Sequence, residues 1–137
     1  MLSYTLLFLL TGVTLAALPP LDPADLKADA SHILVVEVQQ IYTSTRTRQP
    51  GFTDTLHLHE VKVNAVEKGE GVKVGGVVYA RGWTAATRPE MWVGPGGIRG
   101  LPAVGEVVRL YLRQSSDGTL SILDPNGVER LGPSASP

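Results

Sequence analysis

"TLHLHEVKVNAV", residues 55–66, carries a conflict in its side-chain alternation. Successive residues of a strand point to opposite faces, so a strand with one buried face keeps its apolar residues at one parity. Here Leu56 and Leu58 sit at even positions and Val61 and Val63 at odd ones. A β-bulge near His59–Glu60 would reconcile the halves by inserting one extra residue, as strongly bent barrels do. The parity break therefore points to a curved sheet.

Outward from this stretch, the chain continues as strand and turn. "HILVVEVQQIY" (His32 to Tyr42) is β-branched and apolar, with Leu34, Val36 and Val38 on one face. "EKGEG" and Gly75-Gly76 mark turns after the second strand, and "VVYARGW" (Val77 to Trp83) follows. In it Val78 and Ala80 share one face, and Tyr79, Arg81 and Trp83 the other. "EVVRLYLR" (Glu106 to Arg113) splits Val108, Leu110 and Leu112 from Arg109, Tyr111 and Arg113, and "TLSIL" (Thr119 to Leu123) closes the series across a Ser-Asp-Gly turn. Before the strands, "LDPADLKADA" reads as one short helix, with Asp22 as N-cap, Pro23 at the first helical position and Asp25 in the first turn. The expected fold is all-β, a small five-stranded barrel with one short N-terminal helix.

Met1 to Leu18 contains no charged residue and runs through LLFLL and VTLAAL to Pro19-Pro20. It reads as a secretory signal peptide cleaved near Ala16 to Leu18, since the apolar run is short for a spanning helix of about 20 residues. The n-region lacks Lys and Arg, which leaves an uncleaved anchor as the alternative; no cysteine follows for a lipid anchor. The expected location is therefore secreted or periplasmic, without stable membrane insertion once the signal is removed. Residues 19–131 are the size of one domain, and 132–137 ("GPSASP") read as a disordered tail. Twelve Lys and Arg against 13 Asp and Glu argue against general phosphate-neutralising binding, so nucleic acid is not an expected partner. With no cysteine there are no disulfides, and the core alone must hold the fold.

The "ADA" lead-in to a first strand, a long loop, a strand ending "VNAVEKGEG" and the later "GEVVRLYL" together resemble the netrin-like, tissue-inhibitor-of-metalloproteinase-like OB barrels. The resemblance covers about the middle two thirds of the chain and implies an OB-like fold. The inhibitors' zinc-chelating N-terminal cysteine has no counterpart here, so protease inhibition does not follow. Arg88-Pro89, Trp92-Val93-Gly94-Pro95, Gly97 and Leu101-Pro102-Ala103-Val104-Gly105 are similar to a stretch in exported bacterial proteins.

Three features could carry function. His57 and His59, at i and i+2, share a strand face, the spacing by which a sheet offers two imidazoles to one metal. With the bulge after His59 both rings face outward; without it they enter the core. Met91 could add a thioether suited to copper, yet zinc or copper sites need three or four ligands. The second feature is "WTAATRPEMWVGPGGIRGLP" (83–102), where Trp83, Met91 and Trp92 accompany Arg81, Arg88 and Arg99. Flat apolar faces beside guanidinium groups suit a sugar ring, a peptide or a partner protein. The same loop could instead plug an open barrel end, because long unstructured loops are either functional or packed. The third is "YTSTRTRQPGF" (Tyr42 to Phe52), where Arg46 and Arg48 would serve an anionic polymer if held extended, or be solvated in a flexible hairpin loop.

Nothing supplies a nucleophile elbow, a phosphate-cradling glycine loop or a His-Glu-x-x-His helix. The expectation is a non-enzymatic, cofactor-free monomer that binds a protein or glycan partner of the cell envelope through loop 83–102. A metal-binding protein using His57, His59 and Met91 is the second reading, and a hydrolase the third.

Overall fold

The computed structural model describes residues 18–131. Apart from Leu18, the expected signal segment lies outside the described residues, as does the tail 132–137. One helix, α1 (Pro23–Asp29), precedes six strands: β1 (His32–Gln49), β2 (Phe52–Lys68), β3 (Val77–Thr87), β4 (Val107–Gln114), β5 (Leu120–Ile122) and β6 (Val128–Arg130). Asp22 and Pro23 take the capping and first positions of α1, although the Asp22 side chain makes no capping hydrogen bond. The sixth strand, three residues at the edge of β4, is too short for its alternation to be read from sequence.

The strands form one sheet in the order β1-β2-β3-β5-β4-β6, and an additional β1–β4 pairing turns it into a barrel-like ring. All neighbours are antiparallel except β3 and β5, which meet in parallel at Ala80↔Leu120 and Arg81↔Ser121. Leu34, Val36, Val38, Val61, Val63, Ala80, Val108, Leu110 and Leu112 fill the interior, each 1 % exposed or less. Outside the ring, Leu26 of α1 and Ala30, which caps its C-terminal end, cover Ile33, Tyr111 and Leu123, which explains why the outward-facing Tyr111 is buried.

The irregularities are not where the sequence placed them. β2 runs unbroken against β3 from Asp54 to Lys62, with no bulge at His59–Glu60. Against β1 the register slips between Val38 and Gln40, which leaves Gln39 as the extra residue, and again on the β2 side around Asn64 and Glu67. His57 and His59 therefore share the inward face of Val61 and Val63, while Leu56 and Leu58 face out.

β1 changes neighbours along its length. Ile33–Glu37 pairs with both β2 and β4, His32 with β4 alone, and Val38 exchanges backbone hydrogen bonds with Gly105 and Glu106. From Gln39 onward it pairs with β2 alone, forming with β2 and β3 an arm that ends at Pro50–Gly51. Tyr42 to Gln49, expected as strand end and loop, thus belongs to an ordered strand.

The segment after β3 does plug the ring, but not with tryptophan. Ile98, 5 % exposed, and the fully buried Pro102 enter the core, and Leu101 packs against it. Gly96–Ile98 lies along the outer edge of β3 through Ala85 N–H to Gly96 O (2.9 Å) and Ile98 N–H to Trp83 O (2.9 Å). At Gly97, φ is +93° and a Cβ would strike the Trp83 carbonyl, so both conformation and space call for glycine. Gly82 leaves room on the facing strand for Ile98 and Leu101.

Candidate functional site

Of the two outward-facing leucines, Leu56 lines the candidate site and Leu58 lies one row away on the same face. Register places Tyr42, Leu58, Arg81, Ser121 and Arg113 in one row across five strands, and Ser44, Leu56 and Trp83 in the next. On this outer face a cleft of about 600 Å³ is lined by Arg46, Leu56, Arg81, Trp83, Arg113 and Asp124, among others. Its volume lies in the range of small-molecule sites, and its mixture of apolar floor and few charged groups is typical of them.

Trp83 is half-buried and held from two sides. Its indole N–H donates to Asp124 Oδ2 at 2.8 Å, and the Arg48 guanidinium lies 5.3 Å from its ring centroid. Fixing both the edge and one face of an indole presents the rest of it without loss of side-chain freedom on binding. Arg81 and Arg113 are exposed, and neither forms an ion pair with a described carboxylate. The acidic groups around the cleft are Asp29, on α1, and Asp124, which already accepts from Trp83.

Beside the cleft, Arg46, Arg48 and Arg88 converge on Asp54, whose side chain is inaccessible to solvent. Arg88 contributes the tightest contact, 2.5 Å, and is itself 12 % exposed; Arg46 and Arg48 are about half exposed. Burial pushes the Asp54 carboxyl up, but its bond to Arg88 and the charges of Arg48 and Arg88 outweigh this and hold it below the usual carboxylate value. One carboxylate facing three guanidiniums leaves the arm with an excess of positive charge on the cleft side.

The six residues singled out in the sequence fall into three places. Arg81 and Trp83 line the cleft. Arg88, Met91 and Trp92 sit at the far end of the arm, where Arg88 is committed to Asp54 and to the carbonyls of Thr53 and Thr87. There Trp92 meets Phe52 edge-on at 5.1 Å, Arg88 lies over the same Phe52 ring, and Met91 projects at 95 % exposure. Arg99 is exposed elsewhere, its backbone N–H bonded to Pro125 O. Arg46, Leu56, Arg113 and Asp124 complete the site and were not picked out as its members from sequence. Leu56 announced itself only as half of the parity conflict, and Arg113 as an outward position of β4.

The histidines stand apart from the cleft chemistry. Their rings are 6.3 Å apart, and His57 Nε2 is 2.9 Å from Thr84 Oγ1. His59 is 1 % exposed, and neither of its ring nitrogens has a hydrogen-bond partner among the described residues. Burial pushes its pKa down and the neighbouring His57 adds to this; backbone groups of Pro102 and Ala80 lie close enough to oppose the shift without closing a hydrogen bond. Among the described residues no group of three or more His, Asp or Glu is gathered as a metal site would require. Met91 is almost wholly exposed where His59 is sealed, so the three suggested ligands do not share an environment.

No family model, curated protein or solved structure matches this chain.

Proposed function

We propose that the chain is an exported, OB-like binding module whose outer-face cleft takes a carboxylate-bearing glycan. The observation that carries this reading is the inverted strand β2, which spends interior positions on His57 and His59 while turning Leu56 and Leu58 outward beside Trp83 and Arg81, Leu56 into the cleft itself. Turning apolar side chains out costs burial, and departures of this kind concentrate where a surface has a task. Trp83 offers a pinned ring for a sugar face, and Arg81, Arg113 and Arg46 offer fork-shaped donors for carboxylates. Export rests on the uncharged apolar run Met1 to Leu18.

The test is a fluorescence titration of a Trp92→Phe variant, in which Trp83 is the sole tryptophan, with oligogalacturonate and with a neutral glucan of equal length. Saturable quenching by the acidic sugar alone is expected, weakened about tenfold or more by Arg81→Ala or Arg113→Ala, the effect of one lost charge-assisted hydrogen bond. Equal response to both sugars, or none to either, would overturn the assignment.

A further inference from the structure

Most long strand edges in this molecule are covered. β1 up to Val38 is flanked on both sides, and the outer edge of β3 beyond Gly82 is taken up by Gly96–Ile98. The exception is the outer edge of β1 from Gln39 to Gln49, whose backbone pairs only with β2 among the described residues. All of these residues are exposed except the half-buried Ile41. The stretch, "QQIYTSTRTRQ", contains no proline, glycine or lysine and is rich in β-branched threonine. Of the devices that usually blunt an open edge, proline and a mid-strand bulge are missing between Gln40 and Thr47, where Arg46 is the one charged residue.

We infer that this edge is an interface for a second copy of the chain, joined by antiparallel β1–β1 pairing about a two-fold axis at Ser44. An antiparallel pair of identical strands is self-complementary in its hydrogen-bonding groups, so one surface serves both partners. The charges select the antiparallel arrangement. The only charged residues on the free edge are Arg46 and Arg48, both toward one end. Parallel pairing would stack like charges, whereas antiparallel pairing sends them to opposite ends. Ser44 is the midpoint of Gln39–Gln49, so an axis there centres the pairing on the free stretch, with the register slips at Gln39 and Arg48 at its two ends. Arg46 then faces Tyr42 of the partner subunit.

In that register the two Arg46 side chains stand about 13 Å apart along the strands, beyond the screening length at physiological salt. Tyr42 is half exposed, and its ring is available to the opposing guanidinium. The two outer-face clefts come to lie on the same side of a continuous six-stranded arm. The contact is a single strand pair, so the dimer belongs with small, concentration-dependent interfaces rather than obligate ones. This departs from the monomer expected from the sequence, where the free edge is not visible.

The absence of cysteine gives a direct test. Sedimentation of the purified chain should show a reversible monomer–dimer equilibrium over roughly 10 to 500 μM, the range of weak interfaces. Ser44→Lys, which sets two ammonium groups opposite each other at the axis, should raise the dissociation constant about tenfold or more without altering the circular dichroism spectrum or melting temperature. Under mild oxidation Ser44→Cys should cross-link at least about tenfold faster than Thr47→Cys, because only a residue at the axis faces its own copy at bridgeable distance. A chain that stays monomeric throughout, or a dimer indifferent to Ser44→Lys, would overturn the proposal. Cross-linking fastest at Thr47→Cys would overturn the Ser44 axis.

Discussion

Asp124 accepts the indole N–H of Trp83 across 2.8 Å, tying the middle of β3 to the chain that follows β5. This one bond fixes how much of the ring the cleft presents. Asp124→Ala should therefore cost about 1 to 2 kcal/mol, at the lower end for a bond to a charged group because the site is partly wet. The same variant should shift Trp83 emission to the red in the Trp92→Phe background. Unchanged emission would mean the indole is held by Arg48 alone.

Ile98, not either tryptophan, closes the ring, and the ranking of truncations should follow. Ile98→Ala is expected to lose about 2 to 4 kcal/mol in urea unfolding, the range for a core aliphatic residue. Trp92→Ala, removing a side chain that is 39 % exposed, should lose clearly less. The reverse order would place the plug at Trp92.

His59 makes the barrel sensitive to mild acid. Its pKa is depressed in the folded state, so the unfolded chain binds the proton more readily. The stability it confers is complete above the unfolded value near 6.5 and is lost as pH falls below it, at no more than about 1.4 kcal/mol per pH unit for one proton. Melting temperatures from pH 8 to 5 should show this decline, and His59→Leu should reduce it to the part that His57, also depressed by burial, contributes.

Asp54 controls a second, more acidic transition. Its folded pKa is also depressed, but for a carboxyl this stabilises above the unfolded value near 3.9 and is lost as pH falls through the folded value. Asp54→Asn should diminish the step below about pH 4, to which Asp117 and Glu129 also contribute, while leaving the decline near pH 6 in place. Because Arg88 is the most buried of its three partners, Arg88→Ala should destabilise more than Arg46→Ala. Melting curves of the two variants at pH 7 check the order.

Much of the barrel was legible because its interior obeys strict alternation. Leu34, Val36 and Val38, and likewise Val108, Leu110 and Leu112, are buried as their parity requires. The error in β2 came from applying that rule to Leu56 and Leu58, which face outward while His57 and His59 take the inward positions. Alternation reports which residues share a face, not which face is inside; where histidines and leucines compete, hydrophobicity alone chose the wrong one. The spread of Arg81, Trp83, Arg88, Met91, Trp92 and Arg99 over three places has a similar cause. Proximity in sequence brought them together, but β3 continues to Thr87 and carries the later residues to the end of the arm. Arg113, thirty positions away, reaches the cleft because β5 bridges β4 to β3, a pairing no local pattern discloses.

The change of neighbours at Val38 gives one continuous strand two different lifetimes. Amides of Ile33–Glu37 are locked between β2 and β4 and can exchange with solvent deuterium only when the ring as a whole opens. Amides beyond Gln39 have a partner on one side and little interior beneath them, so they exchange through fraying of the arm, at a free energy well below that of global unfolding. An exchange map of β1 would show a step at that point, and whatever settles on the arm would announce itself by erasing the step.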